Sequence, residues 1–148
     1  MSEEDVKITT ELLQQIKPHQ IFAAGDLADP HGTHKVCLDI VLASLQQIKK
    51  EKTSWLKDCW LWLYKGAWQE WNIEEIEMAV PMSPDQVLQK RYGIFIHQSQ
   101  KDMVPFQGSD SREFWQRAEE RNEYTANLYA QLGLTHYAAM EAFVKWKY

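Results

Sequence analysis

Hydrophobic residues recur along the chain at two spacings, and these predict alternating helices and strands. Over residues 3–17 the apolar side chains lie three or four residues apart, which is the spacing of a helix, and Pro18 ends this segment. Residues 19–24 follow directly and form a short run of the type found in β-strands, which predicts a strand. A helix followed at once by a strand is typical of an α/β protein.

The next elements predicted are an apolar helix and a second strand. Asp29 and Pro30 are typical of a helix start, because Asp caps free N–H groups and Pro loses no hydrogen bond there. This helix extends to about Lys50 and is apolar on more than one face, so we expect it to be largely buried. Residues 59–64, Cys-Trp-Leu-Trp-Leu-Tyr, are continuously apolar and predict a strand buried on both faces.

A third strand and a third helix follow. Residues 75–80 alternate acidic and apolar side chains, which predicts a strand with one solvated face near a sheet edge. Ser83, Pro84 and Gln86 then have the pattern of an N-cap, a first-turn proline and a capping box. The apolar residues expected to face inward from this helix are Val87, Leu88, Tyr92, Phe95 and Ile96.

Two more helices are predicted at the carboxyl end. Asp110 or Ser111 is expected to cap a long, charged, amphipathic helix, with Gly133 at its C′ position. The residues expected on its buried side are Phe114, Ala118, Leu128 and Leu132. A final helix is predicted from Thr135, so the whole pattern contains about three strands and about five helices.

Composition narrows the class of protein. The chain has 148 residues, enough for one domain with a hydrophobic core. Its 45% hydrophobic residues argue against disorder, and its net charge of −5, with no basic stripe, argues against a nucleic-acid-binding surface. No apolar run approaches the ~20 residues needed to span a bilayer. The acidic amino terminus does not resemble a secretory signal, so we expect a cytoplasmic protein.

The cysteine and tryptophan residues do not by themselves identify a function. Cys37 and Cys59 lie in apolar segments and are too few for a disulfide framework, so core packing is favoured over a metal or redox role. The seven tryptophans are many for this length. Large aromatic side chains fill cores, stack on sugars or contact a partner chain, and the sequence leaves these alternatives open.

The candidate chemistry lies between the first strand and the following helix. His31 and His34 have the spacing His-x-x-His, and residues three apart share a helical face, so both imidazoles can face one point. Ligands of open α/β sheets bind at the carboxyl ends of the strands. One interpretation is a metal site with Asp26 or Asp29 nearby, and the other is a capped helix with surface histidines. Two histidines do not complete a catalytic zinc site, which has three protein ligands.

A second polar cluster, His97, Ser99 and Gln100, follows the third helix. Its simpler interpretation is hydrogen bonding to the exposed carbonyls at the helix end. A Ser–His nucleophile pair is not favoured, because the chain has no nucleophile elbow. His19 and His136, each beside apolar residues, are interpreted as structural.

Two segments carry a resemblance to a known family. Ala24-Gly25-Asp26-Leu27-Ala28-Asp29-Pro30-His31-Gly32-Thr33-His34-Lys35-Val36, together with the later His97-Gln98-Ser99-Gln100, resembles the second half of the zinc-dependent N-acetylglucosaminyl deacetylases, the LmbE-like or PIG-L-like family. This resemblance covers roughly residues 1–105. Residues 62–71 and the carboxyl-terminal helices are similar to a bacterial branch in which the deacetylase domain follows a glucosamine-6-phosphate deaminase-like domain.

The resemblance implies a fold, a reaction and a set of site residues. The fold is a Rossmann-like three-layer sandwich, as a single domain over 1–148 with an incomplete sheet and a helical extension over about 110–148. The reaction is hydrolysis of the N-acetyl group of an N-acetylglucosamine-type amino sugar, with zinc as cofactor. His34 is implied as a zinc ligand and His31 as the acid or oxyanion stabiliser. Substrate contacts are expected from Asp29, Tyr64, Trp68 and His97.

One part of the family's motif does not occur in the chain. The His-Pro-Asp-Asp-Glu segment, which supplies the other two zinc ligands and the general base, is missing. We therefore expect the chain to be a carboxyl-terminal portion of a longer polypeptide. Without the amino-terminal part, we expect it to be inactive and to bind zinc weakly or not at all. The alternative is a non-catalytic binding or dimerisation module, such as one attached to a glucosamine-6-phosphate deaminase-like enzyme. Self-association into a homo-oligomer is one way to cover its bare apolar surface.

Overall fold

The computed structural model describes residues 1–25, 32–67, 69–98 and 110–146 of the chain. These residues form four β-strands and four α-helices, which confirms the α/β class. The predicted pattern had one strand fewer and one helix more. No helix in the described ranges is long and apolar enough to cross a membrane.

The chain divides into two compact units. Unit 1 comprises Met1–Tyr64 with Lys145–Tyr148, and unit 2 comprises Lys65–Val144. Each unit contains its own pair of strands, so each is described separately.

Unit 1 is built around a pair of parallel strands. Its elements are α1 (Glu3–Ile16), β1 (Gln20–Ala24), α2 (Thr33–Lys50), a 3₁₀ turn (Trp55–Asp58) and β2 (Trp60–Tyr64). β1 and β2 pair in parallel, with Gln20 opposite Trp60 and Ala24 opposite Tyr64. Parallel neighbours need a crossover connection, which α2 provides. The β1–α2–β2 segment is therefore the βαβ unit from which Rossmann-like folds are built.

The start of α1 is capped by Ser2, and its end precedes Pro18 as predicted. The hydroxyl oxygen of Ser2 accepts from the backbone N–H of Asp5 at 3.2 Å, while the Asp5 carboxylate accepts from the N–H of Ser2 at 2.7 Å. Lys17 adopts a left-handed conformation with φ of 50° and ends the helix directly before Pro18. Both boundaries are fixed by residues that also identify them in the sequence.

The core of unit 1 lies where its helices and β2 bury their apolar faces. Leu45 and Ile48 of α2 and Leu61 of β2 are completely buried. Full burial of such a side chain stabilises the fold by about 1.5–3 kcal/mol. The hydroxyl of Ser44, also on α2, donates to the carbonyl oxygen of Val6 at 3.2 Å and links α2 to α1.

Unit 2 contains an antiparallel pair of strands and two helices. Its elements are β3 (Met78–Met82), α3 (Pro84–Ile96), α4 (Phe114–Gln131) and β4 (Ala139–Trp146), the last two residues of which belong to unit 1. β3 and β4 pair with Met78 opposite Phe143 and Met82 opposite Ala139. Pro81 lies within β3, and a proline is tolerated in an edge strand because it has no N–H to donate to a neighbour.

The helix starts in unit 2 agree only in part with the prediction. Ser83 and Gln86 form the predicted capping box of α3. The N-cap of α4 is Glu113 rather than Asp110 or Ser111. Asp110 instead accepts from the backbone N–H and the guanidinium of Arg112, which occupies its carboxylate. Gly133, with φ of 95°, is at the predicted C′ position, where only glycine adopts this conformation without strain.

The predicted final helix from Thr135 is wrong, because residues 139–146 form β4. The segment expected to be a helical extension over about 110–148 therefore ends in a strand. Phe143, Val144 and Trp146 have the β-branched and aromatic side chains that favour strands, and a short apolar run does not distinguish the two structures by its spacing. Pairing with β3 decides between them.

Fewer residues of α2 are buried than predicted. Four of its residues are buried, namely Leu38, Ser44, Leu45 and Ile48. Val36 is 40% exposed, so the expectation of a largely buried helix is wrong at its first turns. Cys37 is also exposed, whereas Cys59 is buried as expected.

β2 and α3 are also less buried than predicted. Leu61 and Leu63 of β2 are buried, but Trp60 and Tyr64 are exposed, so the strand is not buried on both faces. No residue of α3 is buried, and its apolar side chains at Leu88, Tyr92 and Ile96 are exposed. β3 begins at Met78 rather than at residue 75, and Val80 is exposed rather than inward. Apolar composition shows that a face can be buried, whereas the neighbouring elements decide whether it is.

Candidate functional site

The carboxyl ends of β1 and β2 lie side by side in unit 1. Ala24 and Tyr64, the last residues of the two strands, are opposite each other. The backbone N–H of Gly25 continues this pairing by donating to the carbonyl oxygen of Tyr64 at 2.8 Å. The segment that leaves β1 therefore starts at the sheet edge where open α/β folds bind their ligands, as the sequence predicts.

His34 is the second residue of α2, the helix that follows this edge. The N-cap of α2 is Gly32, whose φ of 67° is a left-handed conformation that glycine adopts without strain. Its carbonyl oxygen accepts from the N–H of Val36 at 3.0 Å and starts the helix. His34 is exposed in this first turn, so a ligand can reach it. The other predicted residues of this loop, Asp26, Asp29, Pro30 and His31, lie outside the described residues.

The remaining predicted site residues are divided between the units. Tyr64 is 37% exposed at the end of β2 in unit 1. His97 caps the carboxyl end of α3 in unit 2, where its backbone N–H donates to the carbonyl of Ile94 at 3.0 Å. The side chain of Gln98, the residue after His97, donates to the carbonyl of Phe95 at 3.1 Å. Trp68, Ser99 and Gln100 lie outside the described residues.

A zinc site is not completed by the part of the chain that the structure describes. Within it, no group of three or more His, Cys, Asp or Glu side chains is placed to hold a metal ion. A catalytic zinc is held by three protein ligands. His34 can supply only one of these ligands.

A cluster of hydrogen-bonded polar side chains in unit 2, most of them shielded from solvent, is not predicted by the sequence. We name it the Arg121 cluster, and it consists of Glu70, Lys90, Arg121, Asn122, Thr125 and Glu141. The guanidinium of Arg121 donates to Glu70 at 2.9 Å and to Glu141 at 2.5 Å. The side chains of Arg121 and Glu70 are only 8% and 9% exposed, so this ion pair is shielded from solvent.

The other members of the Arg121 cluster join it to α3 and β4. The ammonium of Lys90, on α3, donates to the Glu141 carboxylate and to the side-chain oxygen of Asn122, the latter at 2.6 Å. The side-chain amide of Asn122 donates in turn to the carbonyl oxygen of Met140 at 2.9 Å. The cluster thus connects both helices of unit 2 with β4.

The charges within the Arg121 cluster balance. Two carboxylates, Glu70 and Glu141, are matched by the cations Arg121 and Lys90. Burial by itself raises the pKa of Glu141, but the positive charges of Arg121 and Lys90 outweigh that effect and hold this pKa below its ordinary value of 4.5. Glu141 is therefore ionised at neutral pH despite its burial.

The sequence carried one weak signal for this cluster. The buried residues of α4 are Arg117, Ala118, Glu119, Asn122, Thr125 and Ala126, which recur at helical spacing but are mostly polar. A charged helical stripe is normally solvated, so the polar side of α4 was expected to face water. Phe114 and Leu132, expected to be buried, are 36% and 69% exposed.

The segment after β2 is tied to the Arg121 cluster through Glu70. The backbone N–H of Trp71 donates to the carboxylate of Glu70 at 2.9 Å. The ammonium of Lys65 lies 4.3 Å from the centroid of the Trp71 ring, within the range of a cation–π interaction. Lys65, Glu70 and Trp71 thus form one connected group.

Comparison with known proteins identifies a relative of high identity. No protein-family model matches the chain. Over 146 residues the chain is 60% identical to a glucosamine-6-phosphate deaminase-like protein of Bacteroides thetaiotaomicron. The match covers 99% of the chain but 22% of that protein, so the chain spans about a fifth of the relative's length.

This relative agrees with one part of the resemblance. Its name contains the glucosamine-6-phosphate deaminase-like partner that the bacterial branch carries, and it does not name a deacetylase. The deacetylase reaction, the zinc ion and the roles of His31 and His34 therefore stay predictions.

Proposed function

We propose that the chain forms part of a metal-dependent hydrolase that removes the acetyl group from an N-acetylglucosamine-type amino sugar. The observation that carries this proposal is the position of His34, exposed in the first turn of the crossover helix that follows the carboxyl end of β1. The name of the Bacteroides relative supports the amino-sugar class of substrate. The rest of a longer polypeptide is the proposed partner.

The two histidines of the loop receive different roles in this proposal. His34 serves as one metal ligand, because neutral imidazole is the commonest metal-binding side chain. His31 stabilises the oxyanion or gives a proton to the departing amine. Zinc, the proposed metal, supplies a polarised carbonyl and a water of lowered pKa when bound. Its other ligands have to come from residues beyond those that the structure describes.

Tyr64 is the proposed substrate contact at this strand edge. Tyr64 ends β2 beside Gly25 and is exposed, so its ring is free to stack on a sugar face. Asp29, Trp68 and His97 are proposed as further contacts.

The proposal is tested in a chimera, in which this chain replaces the 60%-identical region of the Bacteroides relative. Zinc content and release of acetate from N-acetylglucosamine and its 6-phosphate are measured. His34→Ala is expected to lower both zinc content and acetate release, the latter by on the order of 100-fold or more, since even an outer-shell partner is worth 10–100-fold. The matched control is His136→Ala, because His136 is exposed in unit 2 and contacts Asn127 at 3.1 Å.

Two outcomes contradict the proposal. One is a chimera that contains no zinc and releases no acetate while the parent protein does both. The other is a His34→Ala chimera with undiminished zinc and activity. The isolated chain is expected to bind zinc weakly or not at all, and tight one-to-one binding with turnover would show that it needs no further polypeptide.

A second candidate function is that of a binding or dimerisation module. It is favoured by exposed aromatic side chains on one face of the β1–β2 pair, where Phe22, Trp60 and Tyr64 are 48%, 43% and 37% exposed. The strand register places these three positions on a common face. A homo-oligomer in sedimentation equilibrium that Trp60→Gln dissociates supports this function. A monomer, or an oligomer equally sensitive to the control Tyr124→Gln on α4, contradicts it.

A further inference from the structure

The segment of residues 65–71, directly after β2, is held by side chains rather than by regular structure. Its described residues, all except residue 68, form no helix or strand. Instead, the carboxylate of Glu70 accepts three hydrogen bonds, each of 2.9 Å: from the N–H of Trp71, the guanidinium of Arg121 and the hydroxyl of Thr125. A carboxylate with three donors has little freedom to rotate, so the path of the backbone at Glu70 and Trp71 is fixed.

The donors that fix Glu70 are themselves held in place. Arg121 and Thr125 lie one turn apart on α4, which brings both to the same carboxylate oxygen. The second arm of the Arg121 guanidinium donates to Glu141 of β4, at 2.5 Å. Arg121 therefore bridges a helix, a strand and the 65–71 segment, and its planar fork suits two carboxylates at once, whereas a lysine ammonium is a single point of charge.

Net stability alone does not account for such an arrangement. The free energy needed to remove the two charges of a buried ion pair from water is about as large as the free energy of their attraction. Proteins in which apolar residues of equal volume replace the pair are often as stable. What the pair supplies is a defined geometry, because a carboxylate taken away from its partner in a buried site is strongly disfavoured. In unit 2 the geometry defined is that of the segment that carries Lys65 and Trp71.

We propose that Arg121 is a positioning residue, which acts through Glu70 to hold Lys65, Glu70 and Trp71 in the arrangement that binds the sugar. Lys65 stacks on the ring of Trp71 within this segment and is aligned with it by the same anchor. The inference rests on the proposed function for the identity of the ligand. The anchoring itself rests only on the contacts of the Arg121 cluster.

The anchoring is tested by hydrogen–deuterium exchange, read by mass spectrometry on peptides that cover residues 69–72. Arg121→Lys is expected to speed exchange there by about tenfold or more, the effect of losing a hydrogen bond to a charged group. The matched control is Arg91→Lys, because Arg91 forms a two-pronged pair with Glu119 of α4 at 2.6 and 2.5 Å but does not contact Glu70. Thr125→Val, a milder change of similar shape, is expected to speed exchange by about threefold, since it removes one neutral donor.

The results separate positioning from general destabilisation. Faster exchange confined to 69–72 in Arg121→Lys and Thr125→Val, and absent in Arg91→Lys, supports the inference. Unchanged exchange at 69–72, or an equal increase across all peptides of unit 2, overturns it. Thr125→Val keeps the test decisive if Arg121→Lys does not fold.

The sugar-binding part of the inference is tested in the chimera described above. Arg121→Lys is expected to raise KM for the acetylated sugar by about tenfold, with zinc content unchanged and kcat little changed. An unchanged KM overturns the link to the ligand. Loss of zinc in His34→Ala depends on the metal site and not on Arg121, so failure of the proposed function and failure of the positioning role give different results.

Discussion

The side-chain amide of Asn122 donates to the carbonyl oxygen of Met140 across 2.9 Å, with the two residues only 1% and 3% exposed. The amide oxygen of Asn122 accepts from Lys90 at 2.6 Å. Asn122→Leu keeps the volume but leaves a buried carbonyl and an ammonium without this partner. We expect the free energy of unfolding in urea to fall by about 1–3 kcal/mol. Asn127→Leu, an exposed position on the same helix, is the control, and an equal effect of the two changes would contradict a special role for the buried amide.

Glu141 makes the free energy of unfolding depend on pH. Burial raises its pKa, but Arg121 and Lys90 together lower it by more, so the folded-state pKa lies below the ordinary 4.5. A carboxylate with a lowered pKa stabilises the fold above its unfolded pKa, and this stabilisation is lost as the pH falls through the folded value. We expect the unfolding free energy to decrease below about pH 4.5 and Glu141→Gln to reduce that decrease. Urea titrations from pH 3 to 7 measure the free energy of unfolding of both proteins.

The control for the acid dependence is Glu74→Gln, because Glu74 is exposed. A Glu141→Gln protein with the same decrease below pH 4.5 as the unchanged chain would show that other carboxylates cause it. At neutral pH the Gln variant is expected to be less stable by about 1–3 kcal/mol, since it weakens two charge-assisted hydrogen bonds.

Elements with local signals could be predicted from the sequence. Ser83 before α3 makes the capping-box bonds that its sequence context predicts. Gly133 likewise ends α4 as predicted. In each case the residues that determine the boundary lie within a few positions of it, so a short window contains the necessary information.

Elements that depend on distant residues could not be predicted. β4 resembles a helix in its spacing and becomes a strand because residues 139–143 pair with residues 78–82. The exposure of Trp60 and Tyr64 on β2 is similarly decided by which elements lie against the strand. Neither pairing nor packing partners can be read from the composition of the segment itself.

The site residues likewise include some that could be predicted from the sequence and some that could not. The position of His34 beyond a strand edge follows from the order of apolar and polar residues, and it was predicted. The Arg121 cluster was not, because its members come from four separate parts of the chain. Arg121 and Thr125 look like ordinary solvated helix residues until Glu70 and Glu141 are placed beside them.

Ser83 provides a test of local stability. Its hydroxyl oxygen accepts from the backbone N–H of Gln86 at 3.3 Å, which satisfies one of the free donors at the start of α3. Ser83→Ala is expected to lower the free energy of unfolding by about 1 kcal/mol. Ser54→Ala is the matched control, because Ser54 precedes the 3₁₀ turn without a side-chain capping bond. Equal losses for the two variants in urea unfolding would exclude a specific contribution from the cap.

Leu45 tests whether the core of unit 1 is as tightly packed as its burial indicates. The side chain is completely buried on α2, so Leu45→Ala removes apolar contacts and leaves a cavity that close-packed neighbours fill only in part. We expect the free energy of unfolding to fall by about 2–5 kcal/mol. Leu12→Ala on α1 is the control, since Leu12 is 50% exposed and alanine is a better helix former. A loss at Leu12 as large as that at Leu45 would mean that the exposed side of α1 is covered in solution, and sedimentation equilibrium would then show whether a second copy covers it.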